Sequence, residues 1–373
     1  MRAQRIVVKI GSSSLTAEDG LLSLDRMERL AKQICRLRAD AVEVILVSSG
    51  AVAAGLGRLH WRPGEVTLQE KQSAAAVGQG LLIDAYRELF APCGIEVAQI
   101  LLVRSDLEER RRYVHVRNTL STLLRHGVLP IVNENDTLAV DGIRFGDNDT
   151  LAGLIALVAD ASLLVLLTDT DGFYDADPRT DRAAQKISDV WDLTDAMAKM
   201  AGRAGSRIGT GGMRTKLEAA RIAMDAGIDT VVLHAAEPDA LQRVLGGEPL
   251  GTTFHARRDP LSSKKLWMLH GTRAAGRVTL DAGAVDALLA RSASLLLPGI
   301  TAVSGAFQTG DVIELATSSG RVIGKGIANC SASDLKDWLA RRRPGSVARE
   351  LRIVHHREMS IGREGTGDGS IEA

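Results

Sequence analysis

The chain has 373 residues, of which 45% are apolar and 25% charged, with 46 basic side chains against 46 acidic ones. A formal net charge of zero excludes non-specific attraction to nucleic acid or membrane as the main business of the protein. Aromatic residues at 3% leave too few rings for a base-stacking platform, while the length allows two hydrophobic cores and so predicts two domains.

The first predicted element is the β-branched run Ile6-Val7-Val8-Lys9-Ile10, which breaks into the small-residue turn Gly11-Ser12-Ser13-Ser14. Apolar residues at Leu24, Met27, Leu30, Ala31, Ile34 and Leu37 then recur at helical spacing and predict an amphipathic helix over 24–39. A second strand, Val42 to Val47, ends in Ser48-Ser49-Gly50-Ala51. A helix over 72–90, a strand over 96–103, a charged helix over 106–126 and a strand at Val128 to Val132 follow. The Arg110-Arg111-Arg112 run in the charged helix reads as a solvated face.

The strand at Val128 exits into Asn133-Glu134-Asn135-Asp136, and Val140-Asp141-Gly142-Ile143 predicts a small hairpin. Gly146-Asp147-Asn148-Asp149-Thr150 then opens a helix over 151–159, and a buried strand over 162–167 ends in Thr168-Asp169-Thr170-Asp171-Gly172. Gly209-Thr210-Gly211-Gly212-Met213-Arg214-Thr215-Lys216 leads into a helix over 215–226, and Thr230 to His234 is the last strand of the series. Strand, small-residue turn and helix in alternation predict an α/β unit whose sheet is mainly parallel and sandwiched by helices. The predicted boundaries are 1–256 for this unit, 257–273 for a polar linker, 274–361 for a small mixed β-barrel of short strands and Gly-rich turns, and 362–373 for a disordered tail.

Cys35, Cys93 and Cys330 are odd in number, scattered and without metal-ligand spacing, so they read as reduced thiols of a cytoplasmic protein. The opening residues run straight into a strand, which predicts no export signal. The longest apolar run, 151–167, carries Gly153 and Asp160 and reads as helix plus strand rather than a membrane span.

Binding groups of a parallel sheet belong at the C-terminal strand ends. The predicted topology gathers there Lys9 with its Gly-Ser turn, Ser49 with Gly50, the Asn-Glu-Asn-Asp and Gly-Asp-Asn-Asp stretches, and the glycine-rich segment ending at Lys216. Two lysines, two donor-rich turns, amides and carboxylates suit phosphoryl transfer, where catalysis rests on positioning and neutralising the transferring group. Each piece also has a plain structural reading. Lys9 alone could guard a strand edge, and each Asn/Asp stretch alone could be a turn. The chain has no GxxxxGK[ST] loop and no HRDxxxxN or DFG segment, so it is neither a P-loop enzyme nor a protein kinase. Asp169 to Gly172 lacks calcium-loop spacing, and the histidines form no HExxH.

Taken together and in this order, these segments resemble those of the glutamate 5-kinases, which have an amino-acid-kinase domain, here followed by what resembles a PUA domain. The resemblance implies ATP-dependent phosphorylation of the γ-carboxylate of L-glutamate, with Mg²⁺ accompanying the nucleotide. It implies that Lys9, Lys216 and Asp149 are catalytic, with Asp149 orienting the two lysines. It places glutamate on Ser49, Asp136 and Asn148, with Asp147 on the same side. It places the nucleotide on Lys9, Gly11, Ser12, Thr168, Asp169 and the stretch Thr210, Gly211, Gly212, Met213, Arg214, Thr215 and Lys216, and names no metal-ligating residue. Proline as a feedback inhibitor and homo-oligomerisation are further implications. PUA domains elsewhere bind RNA; the poverty of aromatics argues against that role here.

Overall fold

The computed structural model describes residues 4–17, 19, 21–62, 64–138, 147–176, 178, 180–181, 183–194, 197, 212–290, 293–341 and 351–361. They fall into two compact units, the first ending at Pro260 and the second beginning at Leu261.

The first unit is built on an eight-stranded sheet. Its strands are β1 (Arg5–Ile10), β2 (Glu43–Ser48), β3 (Val97–Leu102), β4 (Leu129–Glu134), β5 (Leu163–Thr168), β8 (Asp189–Val190), β9 (Asp229–His234) and β10 (Thr252–Phe254), while β6 (Phe173–Tyr174) and β7 (Lys186–Ile187) form a separate hairpin. The spatial order is β3-β4-β2-β1-β5-β9-β10-β8, and β3 through β9 in that order pair parallel. Strand β10 turns antiparallel to β9. The helices of the unit are α1 (Ser12–Leu15), α2 (Leu24–Ala39), α3 (Ala51–Leu59), α4 (Leu68–Phe90), α5 (Arg104–Glu108), α6 (Arg110–Arg125), α7 (Asn148–Val158), α8 (Met213–Asp225) and α9 (Ala240–Leu245).

Alternation along β1 sorts its side chains. Ile6, Val8 and Ile10 join one core with Met27, Leu30, Ile34 and Leu37 of α2 and with Leu82, Tyr86 and Phe90 of α4. Val7 and Lys9 therefore point to the opposite face, where α7 lies. Helix α7 is buried from Asp149 to Val158, which is why its sequence is apolar all round instead of amphipathic. It runs close against α8: a Cβ on Gly153 would stand 3.0 Å from the Ala219 backbone.

Helices α3 and α4 meet still more closely. A Cβ on Gly55 would fall 1.8 Å from the carbonyl oxygen of Ala74, and one on Gly78 would fall 1.8 Å from that of Ala51. Only hydrogen fits at either position, so this glycine pair lets α4 lie against the start of α3 and brings Gln79 beside the end of β4.

Several expectations need correction. Gly11 to Ser14 is not an open turn, because Ser12–Leu15 forms the single helical turn α1. The helix over 72–90 begins earlier, at Leu68, where Thr67 and Glu70 form a capping box. The charged helix over 106–126 is two helices broken at Glu109, which has extended backbone. Helix α3, rich in Ala and Gly, had too weak a periodicity to be read. Cys35 of α2 and Cys93, just after α4, form a disulfide with a Cα–Cα distance of 6.1 Å, so the reading of three reduced thiols fails. The two lie 58 residues apart, and only the packing of α4 beside α2 brings them together. That pairing also removes the thiol argument for a reducing compartment. Cys330 is free and buried. The hairpin expected at Val140 to Ile143 and the tail 362–373 lie outside the described residues. Arg110, Arg111 and Arg112 are exposed, as a solvated face requires, with Arg112 paired to Asp106 and Glu109.

The second unit holds α10 (Ser263–His270), β11 (Gly276–Leu280), α11 (Ala282–Ala290), β12 (Leu295–Leu296), β13 (Ile300–Gly305), β14 (Val312–Ala316), β15 (Val322–Ala328), α12 (Ala332–Ala340) and β16 (Arg352–Ile361). Its mixed sheet has the order β12-β16-β15-β14-β11-β13 and curls round a core that includes Val278, Phe307, Ile313, Leu315, Leu335 and Ile353. Helix α10 occupies the stretch read as linker and packs on β15 and β16. Among the described residues no helix is long and apolar enough to cross a membrane.

Candidate functional site

Because β1, β2, β4, β5 and β9 are parallel, their C-terminal ends share one edge of the sheet. There the last inward-facing residue of β1, Lys9, meets the first turn of α7, and the N-terminus of α8 lies on the same face. The structure brings three predicted residues into direct contact. Asp149 makes an ion pair with Lys9 through Oδ1 and another with Lys216 through Oδ2, the latter at 3.2 Å. Thr215 Oγ1 donates to the same Oδ2 at 2.9 Å. Asp149 is fully buried, and Lys9 and Lys216 are each more than nine-tenths buried.

Burial alone would push the Asp149 carboxyl up, but the two ammonium groups hold it down to about 2. The cluster therefore sets two lysines against one ionised carboxylate. A net positive charge set in a poorly solvated place attracts a polyanion far more strongly than the same charge in water. Gly11 leaves room beside it, since a Cβ there would stand 3.2 Å from Lys9 Nζ.

A second group of side chains lies next to this cluster. Asn148 precedes Asp149 in the first turn of α7, and its Nδ2 donates to Ser49 Oγ at 2.8 Å and to Asn133 Oδ1 at 2.8 Å. Asn133 Oδ1 also accepts from the backbone N–H of Glu134 at 2.9 Å, and Asn133 Nδ2 donates to Gln79 Oε1 at 2.9 Å. Behind it, Ser48 Oγ bonds the Tyr86 hydroxyl at 2.7 Å, which steadies the end of β2.

Asp147 is the N-cap of α7, its Oδ1 accepting from the N–H groups of Asp149 at 2.7 Å and Thr150 at 3.0 Å. The capping residue thereby turns Asn148 and Asp149 toward different partners. Burial, with the neighbouring charge of Asp149 added, raises the Asp147 carboxyl to about 6 in spite of its two backbone donors and Lys9. A folded-state value above the ordinary one means the native protein binds the extra proton. The stability that this group contributes is complete below about pH 4 and is lost as pH rises through about 6. Asp147→Asn keeps the cap acceptor without the charge. It is expected to be more stable than wild type by roughly 1–2 kcal/mol at pH 8 and no more stable at pH 4, as read by urea unfolding at the two pH values.

The remaining predicted residues are placed as follows. Thr168 ends β5 with its Oγ1 donating to Asp169 Oδ1 at 3.0 Å. Both line a cavity of about 420 Å³ together with Ser13, Ser14, Arg26 and Arg29. Ser12 starts α1, Gly212 precedes α8 with extended backbone, and Met213 and Arg214 form the first turn of α8. Asp136 follows β4 and is half-buried. Thr210 and Gly211, with Gly146, lie outside the described residues. Sequence reasoning placed the segment holding Asn133 on this edge without giving Asn133 a role of its own, and it missed Gln79. The available signal for Asn133 was its place where β4 gives way to the turn. Gln79 had none, because its contact depends on how α4 crosses α3.

The model of the amino acid kinase family matches residues 4–234, and that of the PUA domain matches residues 276–343. A protein of Shewanella pealeana named glutamate 5-kinase is 43% identical over 366 residues, covering 96% of this chain and 98% of its own. One of the same name from Carboxydothermus hydrogenoformans is 46% identical over 333 residues, covering 89% of each chain. Another from Thermoanaerobacter sp. is 43% identical over 332 residues, again covering 89% of each. With a parallel sheet whose edge gathers two lysines on one carboxylate, and with this extent of likeness, the chain belongs to the amino acid kinase family, among the glutamate 5-kinases.

Proposed function

We propose that the protein transfers the γ-phosphoryl group of ATP to the γ-carboxylate of L-glutamate, forming L-glutamyl 5-phosphate and ADP, the first step of proline biosynthesis. The observation that carries this reading is the pairing of Lys9 and Lys216 on the one buried carboxylate of Asp149, directly beside the Ser49–Asn148 group. A glutamate carboxylate is already ionised at neutral pH, so the transfer needs no general base. One carboxylate oxygen forms the new O–P bond as the bond from phosphorus to the β-phosphate bridging oxygen breaks, with the electron pair leaving on ADP and no proton transferred.

The barrier is the approach of an anion to a triphosphate. Lys9 and Lys216 offset that repulsion, and Asp149 keeps both ammonium groups at fixed positions before the nucleotide arrives. Lys9 contacts the transferring phosphoryl group and Lys216 the phosphates behind it. Gly11, Ser12, Thr168, Asp169 and the stretch from Thr210 through Gly211, Gly212, Met213, Arg214 and Thr215 to Lys216 hold the nucleotide. Ser49, Asp136 and Asn148 hold glutamate, with Asp147 shaping that side through the cap of α7.

Asp149 is already engaged by two lysines. That suits Mg²⁺ carried on the nucleotide phosphates, where it supplies charge neutralisation. Proline as an inhibitor, assembly into homo-oligomers and a cytoplasmic location follow from the same reading, and the PUA domain takes no RNA in it.

The test is formation of glutamyl hydroxamate from ATP, Mg²⁺ and glutamate in the presence of hydroxylamine, with aspartate, N-acetylglutamate and a nucleoside monophosphate as competing acceptors. Glutamate is expected to be turned over best, and purified protein with no glutamate-dependent product would sink the proposal.

A further inference from the structure

The hydrogen bonds round Asn133 have a direction that can be read without choosing amide orientations freely. The backbone N–H of Glu134 can only donate, so the Asn133 atom 2.9 Å from it is the oxygen, Oδ1. The other end of the same carboxamide is then the NH₂ group, and the Gln79 atom 2.9 Å from it must be its acceptor, Oε1. The Asn148 atom 2.8 Å from Asn133 Oδ1 must in turn be a donor, Nδ2, whose second hydrogen goes to Ser49 Oγ at 2.8 Å. Two consequences follow for the two ends of the chain. Ser49 Oγ uses a lone pair on Asn148 and keeps its own proton to donate. Asn148 Oδ1 is left as an acceptor, and it is buried with no hydrogen-bond partner among the described residues.

We propose that Gln79 is a positioning residue that steadies this relay at the NH₂ end of Asn133, so that the site presents an acceptor to an ammonium group and a donor to a carboxylate. Those are the two groups of an α-amino acid, and the inference rests on glutamate being the acceptor substrate. Gln79 touches no substrate itself. It completes the hydrogen bonding of Asn133, and without it the Asn133 NH₂ is unpaired and the carboxamide is held at its oxygen alone, which loosens the acceptor that fixes Asn148. The glycine contact of α3 with Gly78 holds Gln79 at the height of Asn133, which links the close helix crossing to the polarity of the site.

The test uses the full chain with Gln79→Met, which keeps length and bulk but has no strong acceptor, and Gln79→Glu, which keeps an acceptor at the same place. Gln79→Met is expected to raise the glutamate KM about tenfold while kcat and the ATP KM change less than twofold, and Gln79→Glu to stay within threefold of wild type. A glutamate KM unchanged in Gln79→Met, or equal impairment of the two variants, would overturn the proposal. A second readout does not depend on the substrate. The Asn133 side-chain amide protons should exchange with solvent faster in Gln79→Met than in Gln79→Glu, and equal exchange also overturns it. Wild-type protein that fails to use glutamate defeats the functional reading instead, and leaves the exchange experiment to decide the relay.

Discussion

Asp149→Asn is expected to lower kcat by on the order of 10²–10³-fold while leaving a folded protein, as judged by circular dichroism and steady-state kinetics. The substitution keeps the shape of the side chain and an acceptor for Thr215 Oγ1, which lies 2.9 Å from Oδ2 in the native protein. What it removes is the charge that lets two buried ammonium groups sit on either side of one atom group. Without it Lys9 and Lys216 repel each other at short range in a place that water screens poorly, and they must part or one must give up its proton. Either response spoils the double contact on the phosphates. The native carboxyl, held to about 2, stays ionised throughout the pH range in which an enzyme is assayed, so no loss of activity on the acid side should trace to it. Its folded-state value lies below the ordinary one. The stability it contributes is therefore present above about pH 4 and disappears as pH falls through about 2. Activity of Asp149→Asn within threefold of wild type would show that the lysines do not need the shared carboxylate.

The parallel sheet was legible because its strands are buried on both faces and read as unbroken apolar runs. Leu163 to Thr168 and Val44 to Val47 are examples, the second followed by small residues and then a helix. That rhythm alone placed Lys9, Ser49, Asn133 and Lys216 on one edge. What could not be read was anything that depends on two helices touching. The α3–α4 crossing is set by Gly55 and Gly78, and a glycine inside a helical pattern shows in sequence as a weak helix, not as a contact. Gln79 and the Cys35–Cys93 pair both follow from how α4 lies, so both were missed for one reason. The cap made by Asp147 was hidden differently. Its segment reads as a carboxylate cluster, and only the backbone at φ −166° and ψ 159° shows that the first acid closes the helix while the second faces the lysines.

The division of labour between the two halves of the site gives the second large effect. In the proposed function Lys9 faces the transferring phosphoryl group, whose negative charge must be neutralised as the acceptor carboxylate comes into line, and Lys9→Ala removes that cation. The ground-state binding of glutamate makes little use of it. We expect kcat to fall on the order of 10²–10³-fold with the glutamate KM changing by less than about threefold. Asp149 keeps Lys216 and Thr215 as partners, so the fold should tolerate the loss. Asp136→Ala is expected to behave in the opposite way. Asp136 lies two residues past the end of β4 and is half-buried, and in the proposed function it holds glutamate and takes no part in the transfer. Its removal should raise the glutamate KM about tenfold or more and leave kcat at saturation within about threefold. Both parameters are read from initial rates over a glutamate series at saturating ATP. Equal effects on kcat and KM in both variants would contradict the assignment of Lys9 to the transfer and Asp136 to binding, because a residue used equally before and during the transfer cannot separate the two.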